Sequence, residues 1–274
     1  MGLFDVFKKK DCEICGKEVG MFGYKKLEDG EICKDCVKLL SPWFDDRRHS
    51  TVAQIKEQLV YREENQKKLA DFRVAQVIGD YYQVYVEETN GIPTRFFVSN
   101  CDDYMSDNPD IIAFKDLMSC SIDIDSHEEE LKRDDGKGNR VSYNPPRYET
   151  DYNFYVEMKI ANNPYFDDMR FKINPNTVTL ECRASSAVNF RGMNINLGTV
   201  NTTRQRDMEL FERYSDMCKQ IEEVVRQSRQ TAPAVAAVTP APVETPAPAG
   251  PKFCQSCGAP ADGGKFCQSC GAPL

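Results

Sequence analysis

Eight of the twelve cysteines in this chain fall into four C-x2-C pairs, and no other feature of the sequence constrains the fold as tightly. The first two pairs, Cys12/Cys15 and Cys33/Cys36, are separated by 17 residues. The last two, Cys254/Cys257 and Cys267/Cys270, belong to a nine-residue repeat, KFCQSCGAP, that occurs twice near the C-terminus. A C-x2-C turn sets two thiolates on one side of a tight loop, and two such turns complete a tetrahedral S4 shell around one ion. The sequence therefore predicts two structural Zn2+ sites: Cys12, Cys15, Cys33 and Cys36 hold one ion, and Cys254, Cys257, Cys267 and Cys270 the other. Iron in a rubredoxin-type FeS4 centre is the runner-up metal. Four sulfurs leave no open coordination position, so neither site reads as catalytic.

The residues around each quartet suit small metal-dependent folds. Gly16 supplies a positive φ after the first pair, Glu18 to Gly30 suits a hairpin, and Cys33 to Leu40 reads as a helix ending at Ser41-Pro42. Residues 1–50 thus form a treble-clef-like module. Residues 252–274 read as a zinc ribbon, which buries too little apolar surface to fold without its ion.

Between these modules the chain has room for a proper core. Residues 51–71 predict a helix opened by a Thr51-x-x-Gln54 capping box, with a polar second half that reads as a solvated spacer. Residues 72–230 predict seven or eight short strands, including a hairpin turning at Asn90-Gly91 and separate strands over 117–124, 128–133, 140–143 and 152–160. One amphipathic helix from Thr203 to about Arg229 follows, its broad apolar stripe suited to packing on the strands. Strands in that number with one closing helix resemble, by topology alone, a pleckstrin-homology-like β-barrel or sandwich. Residues 231–251 hold six prolines and seven alanines and read as a disordered linker. The predicted fold class is multidomain α+β.

Charge and hydropathy remove several function classes. The 274 residues carry a formal charge of −8, and residues 71–182 alone hold 22 acids against 11 bases. Such a surface repels phosphate polyanions, which counts against nucleic-acid and phosphoinositide partners. No stretch approaches the roughly 18 apolar residues of a membrane span. The apolar cluster Leu3 to Phe7 is too short for a signal peptide, so the expected location is cytoplasmic. Residues 1–10 have the composition of a membrane-surface contact but offer only about a turn and a half of helix.

No nucleophile, phosphate-loop or dinucleotide motif is present. Cys101, Cys120, Cys182 and Cys218 lack paired spacing and read as buried free thiols, while His49 and His127 lie in polar runs and read as surface residues. Asp102-Asp103, Asp134-Asp135 and Asp167-Asp168 fall at turns, where aspartate bonds to its own backbone.

The stretches CEICG, KKLEDGEICKDC and LSPWFDDRRHSTVAQIKEQL resemble the N-terminal module of a bacterial family of zinc-binding proteins of unknown function. The tail FCQSCGAPADGGKFCQSCGAPL is similar to the zinc-ribbon module appended to many bacterial and archaeal proteins. The resemblance implies structural zinc at both quartets and no reaction. The expected function is a non-enzymatic intracellular adaptor with protein or peptide partners and no small-molecule substrate. A thiol-based redox or metal sensor is the alternative, and a nucleic-acid-binding zinc-ribbon protein comes third.

Overall fold

The computed structural model describes residues 10–20, 22–184, 188–190, 193–195 and 198–230, all within one unit ending at Thr231. Residues 1–9, the 231–251 linker and the second cysteine quartet lie outside the described residues.

The N-terminal module is built from two small antiparallel ladders. Strands β1 (Lys10–Asp11) and β2 (Glu18–Val19) pair around the first C-x2-C turn, and β3 (Tyr24–Lys26) pairs with β4 (Glu31–Cys33) across the Glu28-Asp29-Gly30 turn. A four-residue helix, α1 (Lys34–Val37), follows directly and carries Cys36. Leu27, Ile32, Leu40 and Ile55 bury themselves against the cysteines and form a cluster of their own.

Helix α2 (Val52–Ala70) begins where its capping box predicts. The Thr51 hydroxyl accepts from the Gln54 N–H, and the Gln54 side chain accepts from the Thr51 N–H. Its second half, however, is not a solvated face. Ile55, Gln58, Arg62, Asn65 and Leu69 recur every three or four residues and are all buried. Ile55 packs into the cysteine module, while Leu69 joins Phe72, Tyr85 and Phe97 against the sheet that follows. Polar residues at core-facing positions hide such a stripe from a reading based on hydropathy.

Two of these polar side chains, Arg62 and Asn65, are satisfied by a buried network, whereas the buried Gln58 amide has no hydrogen-bond partner among the described residues. Arg62 donates to Asp110 at 2.9 Å, to the Leu39 carbonyl at 3.2 Å, and to the Asn108 carbonyl. The Ser41 hydroxyl donates to the same Asp110 carboxylate at 2.7 Å. Asn65 donates to the Pro109 carbonyl at 2.8 Å and accepts from the Ile111 N–H at 2.9 Å. Burial raises the Asp110 carboxyl, and Arg62 and Ser41 pull it back. One α2 face thus ties the end of the cysteine module, at Leu39 and Ser41, to the loop at Asp107 to Ile111.

The rest of the unit comprises two antiparallel sheets and a helix. The first sheet has the order β5 (Gln76–Ile78), β6 (Gln83–Thr89), β7 (Ile92–Ser99) and β8 (Ile112–Ala113). Its central hairpin turns at Asn90 and Gly91, whose φ values of +55° and +75° are those of a tight hairpin turn. A short helix, α3 (Tyr104–Asp107), interrupts the path from β7 to β8.

The second sheet corrects the expected strand lengths. Instead of four short strands, residues 117–160 form two long ones, β9 (Leu117–Asp134) and β10 (Arg140–Ile160), joined at Asp135 to Asn139 and paired along nearly their whole length. The acidic run Glu128 to Glu130 belongs to β9 because it lies on an exposed part of the strand. Pro145 and Pro146 are tolerated in β10 because they fall where the register shifts between Ser142 and Arg147, so no ladder bond is lost there. The other edge of β10 serves β12 (Val178–Ala184) and β11 (Asp168–Lys172) in succession, and β15 (Thr199–Asn201) pairs with β12. Among the described residues, strands β13 (Val188–Phe190) and β14 (Met193–Ile195) pair only with each other.

The expected barrel does not close: among the described residues no strand pair bridges the two sheets. Helix α4 (Gln205–Gln230) completes the core, burying Tyr214, Cys218, Ile221, Val224 and Val225 with Phe96, Phe154 and Phe171. The broad stripe read in the sequence is therefore used against the strands.

Candidate metal centre

Three elements deliver the first quartet. The loop between β1 and β2 carries Cys12 and Cys15, and its tight turn is closed by the Gly16 N–H donating to the Cys12 carbonyl at 2.8 Å. Gly16 adopts φ +71°, as its place after the knuckle requires. Strand β4 ends in Cys33, and α1 places Cys36 one turn later.

All four Sγ atoms lie within 4.8 Å of one another. Cys12 and Cys36 are 3.9 Å apart and Cys15 and Cys33 3.8 Å. A tetrahedron with metal–sulfur bonds of about 2.3 Å has edges of about 3.8 Å, so the donor set fits a single thiolate-bound ion. Backbone amides already point at two sulfurs: the Cys33 N–H donates to Cys12 Sγ at 3.2 Å and the Cys36 N–H to Cys33 Sγ at 3.3 Å.

The electrostatics ask for a cation. Burial opposes ionisation of Cys12, but N–H groups of Cys33, Cys15 and Ile14 outweigh it and bring the thiol down to about 6. Burial, followed by the neighbouring thiols of Cys33, Cys15 and Cys12, pushes Cys36 up. Four thiolates this close are stable only around a positive charge. Cys12, Cys33 and Cys36 are buried and Cys15 is the exposed residue of the set.

The predicted quartet at residues 254–270 lies outside the described residues. The unpaired cysteines come out partly as expected. Cys218 is buried, whereas Cys101, Cys120 and Cys182 are only half-buried, and burial raises Cys120 and Cys218 to about 11. His49 and His127 are exposed; His49 pairs with Asp46 at 2.7 Å. Asp134 and Asp135 accept from the N–H groups of Gly136 and Lys137 within the β9–β10 turn, the local role expected of them.

Two surface features escaped the sequence reading. Tyr24, Lys25, Lys26, Arg47, Arg48 and His49 share one hollow of about 620 Å3 on the cysteine module. A larger hollow, about 800 Å3, lies between β9 and α4. Neither has a motif: the first joins residues more than 20 positions apart, and the second joins residues of β9 and α4 more than 80 positions apart.

Residues 10–58 match the family model of a domain of unknown function, DUF4428. The matched stretch contains the whole sulfur quartet and the first turns of α2. Comparison with curated proteins and with solved structures gives no match. Among the described residues no helix is long and apolar enough to cross a membrane.

Proposed function

We propose that the protein is an intracellular adaptor without catalytic activity, in which both cysteine quartets hold structural Zn2+ and the β-rich body and C-terminal ribbon engage protein or peptide partners. The observation that carries the reading is the closed set of four sulfurs, all within 4.8 Å. Zinc held by four thiolates has no position left for water or substrate, so it supplies folding energy, not Lewis-acid chemistry. The 231–251 tether would let two weak contacts act together by raising local concentration.

Metal analysis tests the first half. The full chain should carry two zinc ions and a chain ending at Pro251 one; iron, or no metal in either, overturns the assignment. Affinity capture with the full chain, followed by reconstitution from purified components, tests the second half. Failure to recover any stoichiometric partner overturns the adaptor role.

The exposed Cys15 favours a second reading, a redox or metal sensor whose most exposed cysteine meets the oxidant first. Peroxide titration with a zinc-release indicator separates the two. Release at oxidant levels that leave Cys101 intact supports the sensor, and retention supports the structural role.

A further inference from the structure

The hollow between β9 and α4 has a shape and a chemistry that the adaptor reading leaves unused. Ile122 and Ile124 of β9 and Phe211 and Cys218 of α4 give it an apolar floor. Exposed carboxylates stand at its rim: Glu212, Asp216 and Glu222. The one lysine there, Lys219, is already paired with Asp216 at 2.8 Å. Helix and strand run in opposite directions, since Arg229 near the end of α4 donates to the Met118 carbonyl at the start of β9. Toward the Met118 end a smaller hollow of about 350 Å3, lined by Cys120, Glu222, Val225, Arg226 and Arg229, adjoins the groove at Glu222.

The strand beside the groove is itself incomplete. β9 pairs only with β10, so along its 18 residues, about 60 Å, its outer edge has no strand partner among the described residues. In an antiparallel ladder every second residue of such a strand turns its N–H and C=O outward. Edges of this length template the addition of another strand unless something prevents it. Charge here selects what can be added. From Ser121 to Glu130, β9 carries Asp123, Asp125, Glu128, Glu129 and Glu130 and no lysine or arginine. A second copy of β9 would set like charges against each other, which disfavours self-pairing.

The geometry points to a docking site for an extended, basic segment of a partner protein, which adds as a strand to the outer edge of β9. Alternate apolar side chains of that segment enter the groove against Ile122, Ile124 and Phe211, and its lysines or arginines meet the carboxylates beyond Ile124. The assignment deepens the adaptor reading and rests on it, naming where a partner binds and what its chemistry is.

The test uses the full chain and a fluorescein-labelled nonapeptide with valine at alternate positions followed by four lysines. Saturable binding is expected, weakened at least tenfold when the lysines are replaced by glutamates. N-methylation of alternate backbone nitrogens in the peptide should weaken it similarly, because added ladder bonds are then lost. A Glu128→Lys, Glu212→Lys chain, altered only at exposed side chains, should reverse the preference between the lysine and glutamate peptides. No binding of the lysine peptide, equal binding of the glutamate peptide, or indifference to N-methylation overturns the site. A reconstituted partner that binds the Glu128→Lys, Glu212→Lys chain undiminished also overturns this surface while leaving the adaptor role intact.

Discussion

At the scale of single residues, the sharpest contrast lies between cysteines of the quartet and those outside it. Cys33 is buried, supplies one of the four sulfurs, and accepts the Cys36 N–H. Cys33→Ser should cost the chain one metal ion by elemental analysis and loosen residues 10–50, whereas Cys101→Ser should leave the metal count unchanged. Charge pairs give a second contrast. Glu87 accepts two bonds from Arg95 and one from the Arg73 N–H at 2.9 Å, and the Arg95 guanidinium holds its carboxyl below the usual 4.5. A depressed carboxyl stabilises the fold fully above its unfolded value and loses that contribution as pH falls through its folded value. Urea unfolding of Glu87→Gln should therefore be easier than for the parent chain at neutral pH, by about 1–2 kcal/mol. The difference should shrink steadily below pH 4.5.

At the scale of elements, α2 is the part whose role changes most between sequence and structure. Its start was legible because Thr51 and Gln54 satisfy each other's backbone, a local device that needs no tertiary contact. The use of its second half was not, because Arg62 and Asn65 find all but one of their partners at Asp107 to Ile111, more than 40 residues away, the exception being the Leu39 carbonyl. The same division runs through the strands. The Asn90-Gly91 hairpin is written in its turn, whereas β9 and β10 keep their length through mutual pairing across an acidic, proline-interrupted stretch. Likewise the metal quartet was readable from spacing alone, while the groove beside α4 needs the assembled sheet. Removing one partner of the Arg62–Asp110 pair leaves a buried charge unmatched, so Arg62→Ala should cost about 3–5 kcal/mol in urea unfolding. The Arg62→Ala, Asp110→Ala chain should lose less than the two single losses combined.

At the scale of the whole molecule, the hydrophobic interior is divided. One cluster surrounds the cysteines, a second lies between the two sheets and α4, and a third joins Leu69, Phe72, Tyr85 and Phe97; α2 links the first to the third through Ile55 at one end and Leu69 at the other. Chelation should therefore act in stages. Protease sites within residues 10–50 should open first, as mass-mapped fragments, while the strand signal in circular dichroism persists; loss of both together would show that the body depends on the metal. The position of α4 has a further effect on how the chain reaches this state. Its inward stripe, Tyr214 to Val225, is the last part of the unit to leave the ribosome, and until then Phe96, Phe154 and Phe171 lack one of their walls. The nascent body therefore spends its synthesis with aromatic surface uncovered, and truncation between the end of β15 and Tyr214 should yield a chaperone-bound or insoluble product, read from the soluble fraction after expression.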